Sequence, residues 1–374
     1  MRDDYQRNES LKRTKKMKRK TKFTHILGLA LVLVIALTGA NLAKVYLHAK
    51  SAINQTYHPV DNKQTTAIEE QKPISILLLG TDTGAFDRGD DRGNSDTLIL
   101  ATINPKTKQT TLTSVPRDML TEIQDDNTGM QKVNSAYNIG GSSLAMKTVS
   151  SLVNVPIDYY VTVNMGALEN IVDAIGGVEV DVPFAFYYGW TQFEKGPRTL
   201  TGHGALDYTR MRYDDPEGDY GRQKRQRQVI EAIAKKALSL DSVANFESIF
   251  NVIKSNMQTN LSFDNMVGLF NNYRHAAQSI SSDYIHGKDA WLSGGSYQLA
   301  STDELQRISN ALRQNLELSP ETVDNTETKQ NQLNKQVDWK DLDAEYNYTI
   351  YSDEKLKNLP KSSQQQSSSQ SSSH

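Results

Sequence analysis

Several arginines stand close together in one stretch of the sequence, in a pattern that suits the binding of an anion. Arg210 and Arg212 lie two apart, which on an extended segment places both guanidinium groups on one side. A helix predicted to follow them places Arg222 and Gln226 on the face that continues into apolar residues. Guanidinium forks match phosphate oxygens, and the free N–H groups of a helix start add partial positive charge. The stretch therefore predicts a pyrophosphate-sized site, with Asp219 between its arginines.

Three further basic residues of this helix are predicted to form a solvated face. Lys224, Arg225 and Arg227 fall mostly on other sides of the helix than Arg222 and Gln226. Runs of charge are usually solvated. We therefore expect these three side chains to be exposed and dispensable for anion binding.

Two aspartates stand beside predicted strands and add carboxylates to the basic set. Residues 74–79 form an apolar run typical of a buried strand, and Asp82 follows its end. Asp96 stands just before a second β-type run at residues 97–103. Mg²⁺ usually takes one or two carboxylates, with waters and substrate phosphate oxygens completing its shell. Asp82 and Asp96 are therefore candidate metal ligands, and a role for Asp96 as a turn or capping residue stays open.

Arg117 completes the candidate set, because it follows a strand in the sequence Ser-Val-Pro-Arg-Asp. It either binds substrate or simply pairs with its neighbour Asp118. The chain has no cysteine, which excludes disulfides and cysteine catalysis. Walker-type and Gly-x-Ser-x-Gly motifs are also missing from the sequence.

The elements that must position these residues alternate between strand and helix. Such alternation favours a layered α/β domain. The predicted strands are 74–79, 97–103, 110–115, 159–163 and 178–182, and the predicted helices are 142–152, 167–175, 222–240 and 302–316.

An apolar stretch near the N-terminus predicts a membrane anchor. Residues 26–43 carry no charge, and eighteen helical residues approach the roughly 30 Å hydrocarbon thickness. Ten Lys and Arg against three acidic residues in positions 1–24 place the N-terminus in the cytoplasm and the remainder outside the cell. A cleaved signal peptide ending near Ala40 is the alternative. The basic tail needs no nucleic acid to explain it.

These observations divide the chain into five predicted segments. The last of them is nearly pure Ser and Gln at its end and is predicted to be disordered. The segments are a basic cytoplasmic tail at 1–24, a transmembrane signal-anchor helix at 25–47, a stalk linker at 48–72, an extracellular catalytic domain at 73–318 and a polar tail at 319–374.

Five motifs occur in one order and carry a resemblance to a known family. They are Leu-Leu-Leu-Gly-Thr-Asp ending at Asp82, Ser-Asp-Thr-Leu containing Asp96, Ser-Val-Pro-Arg-Asp containing Arg117, Lys-Val-Asn-Ser-Ala-Tyr beginning at Lys132, and Leu-Asp-Tyr-Thr-Arg-Met-Arg ending at Arg212. Over about residues 73–318 the chain resembles the LytR-CpsA-Psr family. The resemblance implies an α/β/α sandwich around a central mixed sheet, with an apolar pocket for a polyprenyl chain.

The function that this resemblance implies is glycopolymer transfer. An anionic polymer such as wall teichoic acid or capsular polysaccharide would pass from undecaprenyl pyrophosphate to peptidoglycan, at the cell membrane of a Gram-positive bacterium. Mg²⁺ or Mn²⁺ would be held by Asp82 and Asp96, and Arg117, Asp82 and Asp219 would be catalytic. The residues implied to bind substrate are Arg117, Lys132, Arg210, Arg212, Arg222 and Gln226.

One position departs from the family pattern. Many members carry an arginine two residues before the second aspartate, where this chain has Asn94. Arg92 is the candidate to replace it as a substrate-binding residue. Two other functions stay open: a non-catalytic protein that binds or scaffolds cell-wall polymer, and a lipid pyrophosphatase that uses water as acceptor.

The charge bias yields a test of topology. Protease added to intact cells should remove the domain that begins at residue 73 and spare residues 1–24, because the positive flank stays inside. Immunoblotting with antibodies against each end measures the outcome. Mature protein in the medium that begins near residue 41 would contradict the anchor.

Overall fold

Strands and helices alternate along most of the chain. The computed structural model describes residues 51, 56–60, 66–81, 92–125, 127–238, 257–292, 294–340 and 348–359. The chain divides between residues 52 and 53 into two units, and every element below belongs to the second. The described strands are β1 (Ile74–Thr81), β2 (Ser95–Asn104), β3 (Gln109–Ser114), β4 (Leu120–Ile123), β5 (Gly129–Lys132), β6 (Tyr159–Asn164), β7 (Val178–Val182), β8 (Phe186–Tyr188), β9 (Thr191–Phe193), β10 (Gly196–Leu200), β11 (Met257–Thr259), β12 (Ile280–Tyr284), β13 (Lys288–Leu292) and β14 (Gly295–Leu299). The described α-helices are α1 (Ser135–Val153), α2 (Met165–Ala174), α3 (Gly202–Arg210), α4 (Asp219–Leu238), α5 (Phe263–Tyr273), α6 (Thr302–Asn315), α7 (Thr326–Leu333) and α8 (Asp353–Lys357).

The central sheet has six strands in the order β11, β6, β1, β2, β3, β12. β1 pairs antiparallel with β2 and parallel with β6. β3 pairs antiparallel with β2 and parallel with β12. The prediction of a mixed α/β fold with a central mixed sheet is therefore confirmed.

Helices cover both faces of this sheet because its central strands are apolar on both sides. On β1, Leu77 and Leu79 pack with apolar residues of α1 and α6. Ile76 and Leu78 point the other way and pack with residues of α4 and α5. A third apolar cluster lies between β7, β10, α2, α3 and the β8–β9 hairpin.

The segment that carries the first two site arginines differs from its prediction. Residues 202–210 form helix α3, so the expectation that Arg210 and Arg212 share an extended segment is wrong. Thr201 caps this helix by accepting a hydrogen bond from the Gly204 N–H. Met211 has φ −55° and ψ 134°, which ends the helix directly after Arg210.

The boundaries of the folded domain also differ from those predicted. Residues 66–72 were assigned to the stalk, yet Ile68 is buried in the apolar cluster beneath α5. The Tyr273 hydroxyl donates to the carbonyls of Ala67 and Lys72. This part of the predicted stalk therefore belongs to the domain.

The C-terminal segment is the larger correction. The prediction of a disordered tail from residue 319 is wrong for residues 319–340 and 348–359, which include α7 and α8. Tyr348 is buried among Leu120, Leu292 and Leu299, and its hydroxyl donates to Asn331. Residues 360–374 lie outside the described residues. A polar composition predicts disorder, but this segment packs mainly through buried side chains that are hydrogen-bonded.

Glu327 is the most telling of these buried polar groups. Its carboxylate accepts hydrogen bonds from the Thr121 hydroxyl at 2.6 Å and the Glu122 N–H at 2.8 Å, both on β4. Burial raises the pKa of this carboxyl, and the two hydrogen bonds offset only part of that effect. Glu327 of α7 is thus hydrogen-bonded to β4, the strand that follows the turn bearing Arg117.

No helix in the described ranges is long and apolar enough to cross a membrane. The predicted span at 25–47 lies outside those ranges.

Replacing this acid tests whether the segment is folded. Glu327→Gln keeps an acceptor oxygen but carries no charge at any pH. The pKa of Glu327 is higher in the folded protein than in the unfolded chain, where it is about 4.3. The protonated side chain therefore contributes its full stability below about pH 4.3, and this stability is lost as the pH rises through the pKa of the folded protein. The variant should therefore be more stable than the unaltered chain at pH 7, with the difference vanishing near pH 4.

Chemical unfolding across this pH range measures the difference between the two chains. Glu354→Gln, at an exposed position of α8, should match the unaltered chain at every pH. If Glu327→Gln also matches it throughout, residue 327 is not buried in solution and the segment is not packed on β4.

Candidate active site

Three strand ends meet at one edge of the central sheet and surround a cavity of about 340 Å³. β1 and β6 are parallel and end here, whereas the antiparallel β2 begins here. The carboxyl ends of strands in α/β folds are a frequent place for ligands. The described lining residues are Gly80, Thr81, Asp96, Thr97, Arg117, Val163, Asn164, Met165, Leu168, Tyr188, Leu206, Thr209, Arg210, Arg212, Tyr213, Arg222 and Gln226.

Asp96 reaches this cavity through an irregularity in the pairing of β1 with β2. Gly80 pairs with Thr97 and Thr81 pairs with Ser95, so Asp96 is an extra residue opposite β1. Such bulges re-aim a side chain, and they are frequent beside functional sites. Gly80 permits the close approach, because a Cβ there would lie 2.9 Å from the Thr97 Cβ.

Arg117 stands in the turn after β3 and faces Asp96. Its Nη1 lies 3.1 Å from Asp96 Oδ1, and its Nε lies 3.5 Å from Asp118 Oδ2. Burial acts to lower the pKa of this guanidinium. The nearby carboxylates of Asp96, Asp118 and Asp219 outweigh burial, so the pKa is raised. The side chain therefore presents a fixed positive charge to the cavity.

Asp219 holds two other arginines at the start of α4. Its Oδ1 lies 2.7 Å from Arg222 Nη2 and 3.6 Å from Arg212 Nε. Gln223 also donates to the same carboxylate at 3.0 Å. One partly buried carboxylate therefore holds guanidinium groups that come from the end of α3 and from α4. The predicted catalytic role of Asp219 stays a prediction.

The cavity is arranged for an anion. Burial lowers the pKa of Arg222, and the charge of Arg117 adds to this effect. Both arginines also have a buried Nε with no hydrogen-bond partner in the described part of the chain. A buried donor without a partner costs free energy, and an oxygen-rich ligand would satisfy it. Arg210 and Arg212 line the same cavity and add two more guanidinium groups.

Comparison with known proteins is consistent with this geometry. The sequence model of the LytR_cpsA_psr family matches residues 42–314. The chain belongs to this family.

Individual relatives cover most of the chain. A protein of Enterococcus faecalis named polyisoprenyl-teichoic acid--peptidoglycan teichoic acid transferase TagU is 43% identical over 297 residues, which are 79% of this chain and 97% of the relative. The crystal structure of Bacillus subtilis TagU is 38% identical, with a TM-score of 0.54, covering 66% of this chain and 98% of that one. A structure of TagT bound to LIIa-WTA is 30% identical, with a TM-score of 0.58, covering 69% and 95%.

Arg225 of this LytR_cpsA_psr protein is buried, so the prediction of a solvated residue is wrong. Its guanidinium donates to the carbonyls of Tyr208 and Met211 and pairs with the buried carboxylate of Asp215. These bonds tie the last turn of α3, which bears Arg210, to α4. The signal was present in the sequence, because Arg225 stands four residues before Val229 on the apolar stripe.

The two other basic residues of that predicted face differ from each other. Arg227 is 4% exposed, and its guanidinium donates to the Ser114 hydroxyl on β3 and lies over the Tyr284 ring. The prediction is therefore wrong for Arg227 as well. Lys224 is exposed as predicted and lies 3.9 Å from Glu217.

The remaining predicted site residues lie away from the described cavity lining or outside the described residues. Asp82 is in the second group, directly after β1. Lys132 pairs with Asp118 at 2.6 Å, behind Arg117. Arg92 is exposed, and its guanidinium approaches Gly141 in the kink of α1, while Asn94 is exposed. The substrate-binding roles of Arg92 and Lys132 stay predictions.

An apolar wall of the cavity was not predicted residue by residue. Val163 and Met165 come from the junction of β6 and α2, and Leu168 and Leu206 come from α2 and α3. No periodic pattern predicts this group, because the four residues lie on three elements that only the tertiary fold brings together.

The described residues fit a hard cation only in part. No group of three or more His, Asp, Glu or Cys side chains able to hold a metal is found among them. Asp96 presents a partly exposed carboxylate to the cavity, beside guanidinium groups suited to phosphate. One or two carboxylates and substrate oxygens are the usual Mg²⁺ set, so the cavity is compatible with Mg²⁺ bound together with a phosphate ligand.

The position of Arg225 leads to a prediction on stability and activity together. Arg225→Ala would leave the Asp215 carboxylate buried without its partner, which typically costs about 3–5 kcal/mol. We expect a large loss of unfolding free energy and a loss of anion binding, because Arg210 and Arg212 lose their support. Lys224→Ala, one residue away and exposed, should change neither property by more than about 0.5 kcal/mol. Urea unfolding and phosphate-analogue titration measure both, and unchanged stability in Arg225→Ala would contradict the ion pair.

Proposed function

We propose that this chain is a transferase that moves an anionic glycopolymer from an undecaprenyl pyrophosphate carrier to peptidoglycan. The polymer is of the wall teichoic acid or capsular polysaccharide type. The name of the Enterococcus relative and the LIIa-WTA ligand of the TagT structure support the polymer and the acceptor. The transfer site is proposed to lie outside the cell, on a domain anchored by a span at residues 25–47.

One observation carries the proposal: four arginines and an apolar wall line the same cavity. A pyrophosphate offers oxygens to the guanidinium groups, and a polyprenyl chain offers apolar surface to the wall. A purely aqueous phosphate substrate would not need Val163, Met165, Leu168 and Leu206 in the lining. The combination fits an amphiphilic lipid pyrophosphate better than a sugar phosphate in water.

The proposed chemistry is substitution at phosphorus. A sugar hydroxyl of peptidoglycan attacks the phosphorus that bears the glycopolymer, and its proton passes to a base. The bond from that phosphorus to the bridging oxygen breaks, so that polyprenyl phosphate leaves and a phosphodiester joins polymer to acceptor. Such transfers depend mostly on positioning and charge stabilisation. Arg117 and Arg222 are placed to hold the oxygens on which negative charge develops.

A metal ion is part of the proposal. Asp96, together with Asp82, would hold Mg²⁺ or Mn²⁺, which neutralises pyrophosphate charge when bound. Asp219 is proposed chiefly to position Arg212 and Arg222, because its Oδ1 lies near the guanidinium groups of both.

The experiment is a transfer assay with defined products. The full chain is incubated with Mg²⁺, a lipid-linked glycan and peptidoglycan fragments, and the products are weighed by mass spectrometry. Arg222→Ala is expected to reduce turnover about 10²- to 10³-fold, the usual loss for a donor to developing charge. Asp96→Ala should abolish Mg²⁺-dependent turnover, because it removes a ligand of the metal. Arg210→Lys should not retain activity, because an ammonium lacks the bidentate fork.

Lys224→Ala is the matched control, and its turnover should equal that of the unaltered chain. Release of polyprenyl phosphate without a joined product would indicate a pyrophosphatase. Tight donor binding with no product would indicate a polymer-binding protein. Equal losses in Lys224→Ala and Arg222→Ala would show diffuse attraction of the polymer rather than a positioned site.

A further inference from the structure

The tip of the β8–β9 hairpin carries two aromatic side chains that the fold does not bury. Trp190 is 88% exposed and Tyr187 is 58% exposed. Single apolar side chains on a surface are common and need no explanation. Two exposed rings within four consecutive residues make a local aromatic patch at the hairpin tip.

The turn itself does not require a tryptophan. Tyr188 pairs with Thr191, so Gly189 and Trp190 form a two-residue turn. Gly189 has φ +59°, as the first central position of a tight hairpin turn demands. The second position is usually filled by a small polar residue or glycine. Trp190 therefore occupies the outermost point of the hairpin for a reason other than turn geometry.

The hairpin presents this tip rigidly. Asp207, 2% exposed on α3, accepts a hydrogen bond from the Thr191 hydroxyl at 2.6 Å. Gly189 packs so closely on the same carboxylate that a Cβ would lie 2.8 Å from both oxygens. At the base, Phe186 stacks on Phe193 with ring centroids 4.5 Å apart. The exposed rings thus stand on a fixed support.

The tip lies next to the mouth of the cavity. Tyr188 belongs to the same hairpin and lines the cavity. Two residues of extended chain span at most about 7 Å, so Trp190 is no farther than this from Tyr188 along the backbone. A surface in contact with the tip is therefore close to the site arginines.

We propose that the β8–β9 tip docks into the interfacial region of the bilayer, with Trp190 and Tyr187 among the lipid head groups. Tryptophan and tyrosine favour this region because one part of each ring is apolar and another part is polar. The inference rests on the proposed function. A docked tip holds the cavity mouth at the depth of the donor's pyrophosphate, so that the polyprenyl chain enters without crossing water.

A glycan is the less favoured occupant of the tip. Neither Trp190 nor Tyr187 lines the cavity, whereas the 89% exposed Tyr213 does. Tyr213 also lies against Arg212, with 5.6 Å between the guanidinium carbon and the ring centroid. A sugar attached to a phosphate in the cavity would meet Tyr213 before it met the hairpin tip.

Depth-dependent fluorescence quenching tests the docking. The full chain contains three tryptophans, so Trp291→Phe with Trp339→Phe leaves Trp190 alone. It is reconstituted in vesicles of equimolar phosphatidylcholine and phosphatidylglycerol, with phosphatidylcholine brominated near the head group as quencher. Trp190 emission should shift to the blue and be quenched. The matched control leaves Trp291, which is 69% exposed on β13 and should be quenched far less. Equal quenching of the two would overturn the proposal.

A kinetic arm separates the membrane from other contacts. Trp190→Ala should raise KM for a vesicle-borne donor about fivefold, since half the burial free energy of a large apolar side chain corresponds to roughly that factor. Trp190→Tyr should largely restore KM, and Trp291→Ala should leave it unchanged. With a short-chain donor in solution, Trp190→Ala should behave as the unaltered chain.

An equal KM increase with both donors would mean that the tip contacts the glycan or the site, and would overturn the membrane assignment. If the unaltered chain transfers nothing from either donor, the proposed function fails. The quenching comparison still decides the docking in that case.

Discussion

The candidate site depends on holding like charges together in a partly buried space. Four guanidinium groups line one cavity and repel one another, and each needs a partner to remain charged away from water. Asp219 lies beside Arg212 and Arg222, and Asp96 lies beside Arg117. These carboxylates stabilise the charges of the cluster, but the buried Nε atoms of Arg117 and Arg222 have no hydrogen bond in the described part of the chain. The remaining positive charge favours an anion over a neutral or cationic ligand.

The cluster is positioned by contacts that never touch the cavity. Arg225 binds backbone carbonyls of Tyr208 and Met211, and so fixes the end of α3 against α4. On the opposite side, Lys132 pairs with Asp118, and the Gln298 N–H donates to the Asp118 carbonyl at 2.8 Å. Arg225 also forms a buried ion pair with Asp215, and such a pair is a weak source of net stability. Its value here is geometric, because it sets the direction of neighbouring charged side chains.

The C-terminal segment extends this support beyond the family match, which ends at residue 314. α7 contacts β4 through Glu327, and Tyr348 packs in the cluster that contains Leu120 and Leu299. β4 begins two residues after Asp118, and β14 carries Gln298. The C-terminal segment therefore supports the turn that bears Arg117 by packing against β4 and β14. The segment packs through buried amides, hydroxyls and one carboxyl. Its polar composition therefore did not indicate that it is folded.

Local pattern was enough to predict the strands around Asp96 and Arg117, the layered α/β class and the residues Arg210, Arg212, Arg222 and Gln226 that line the cavity. Apolar runs and helical spacing are properties of neighbouring residues, and the order of motifs carries the family resemblance. The burial of Arg227, the apolar wall, the folded C-terminal segment and the partners that allow Arg225 to be buried were decided only by tertiary structure. Each depends on partners outside its own helix: Arg225 pairs with Asp215 in the preceding loop, Arg227 donates to Ser114 on β3, and Glu327 accepts from Thr121 on β4. Charge predicts exposure only until such a partner is available, because a paired and hydrogen-bonded charge can be buried.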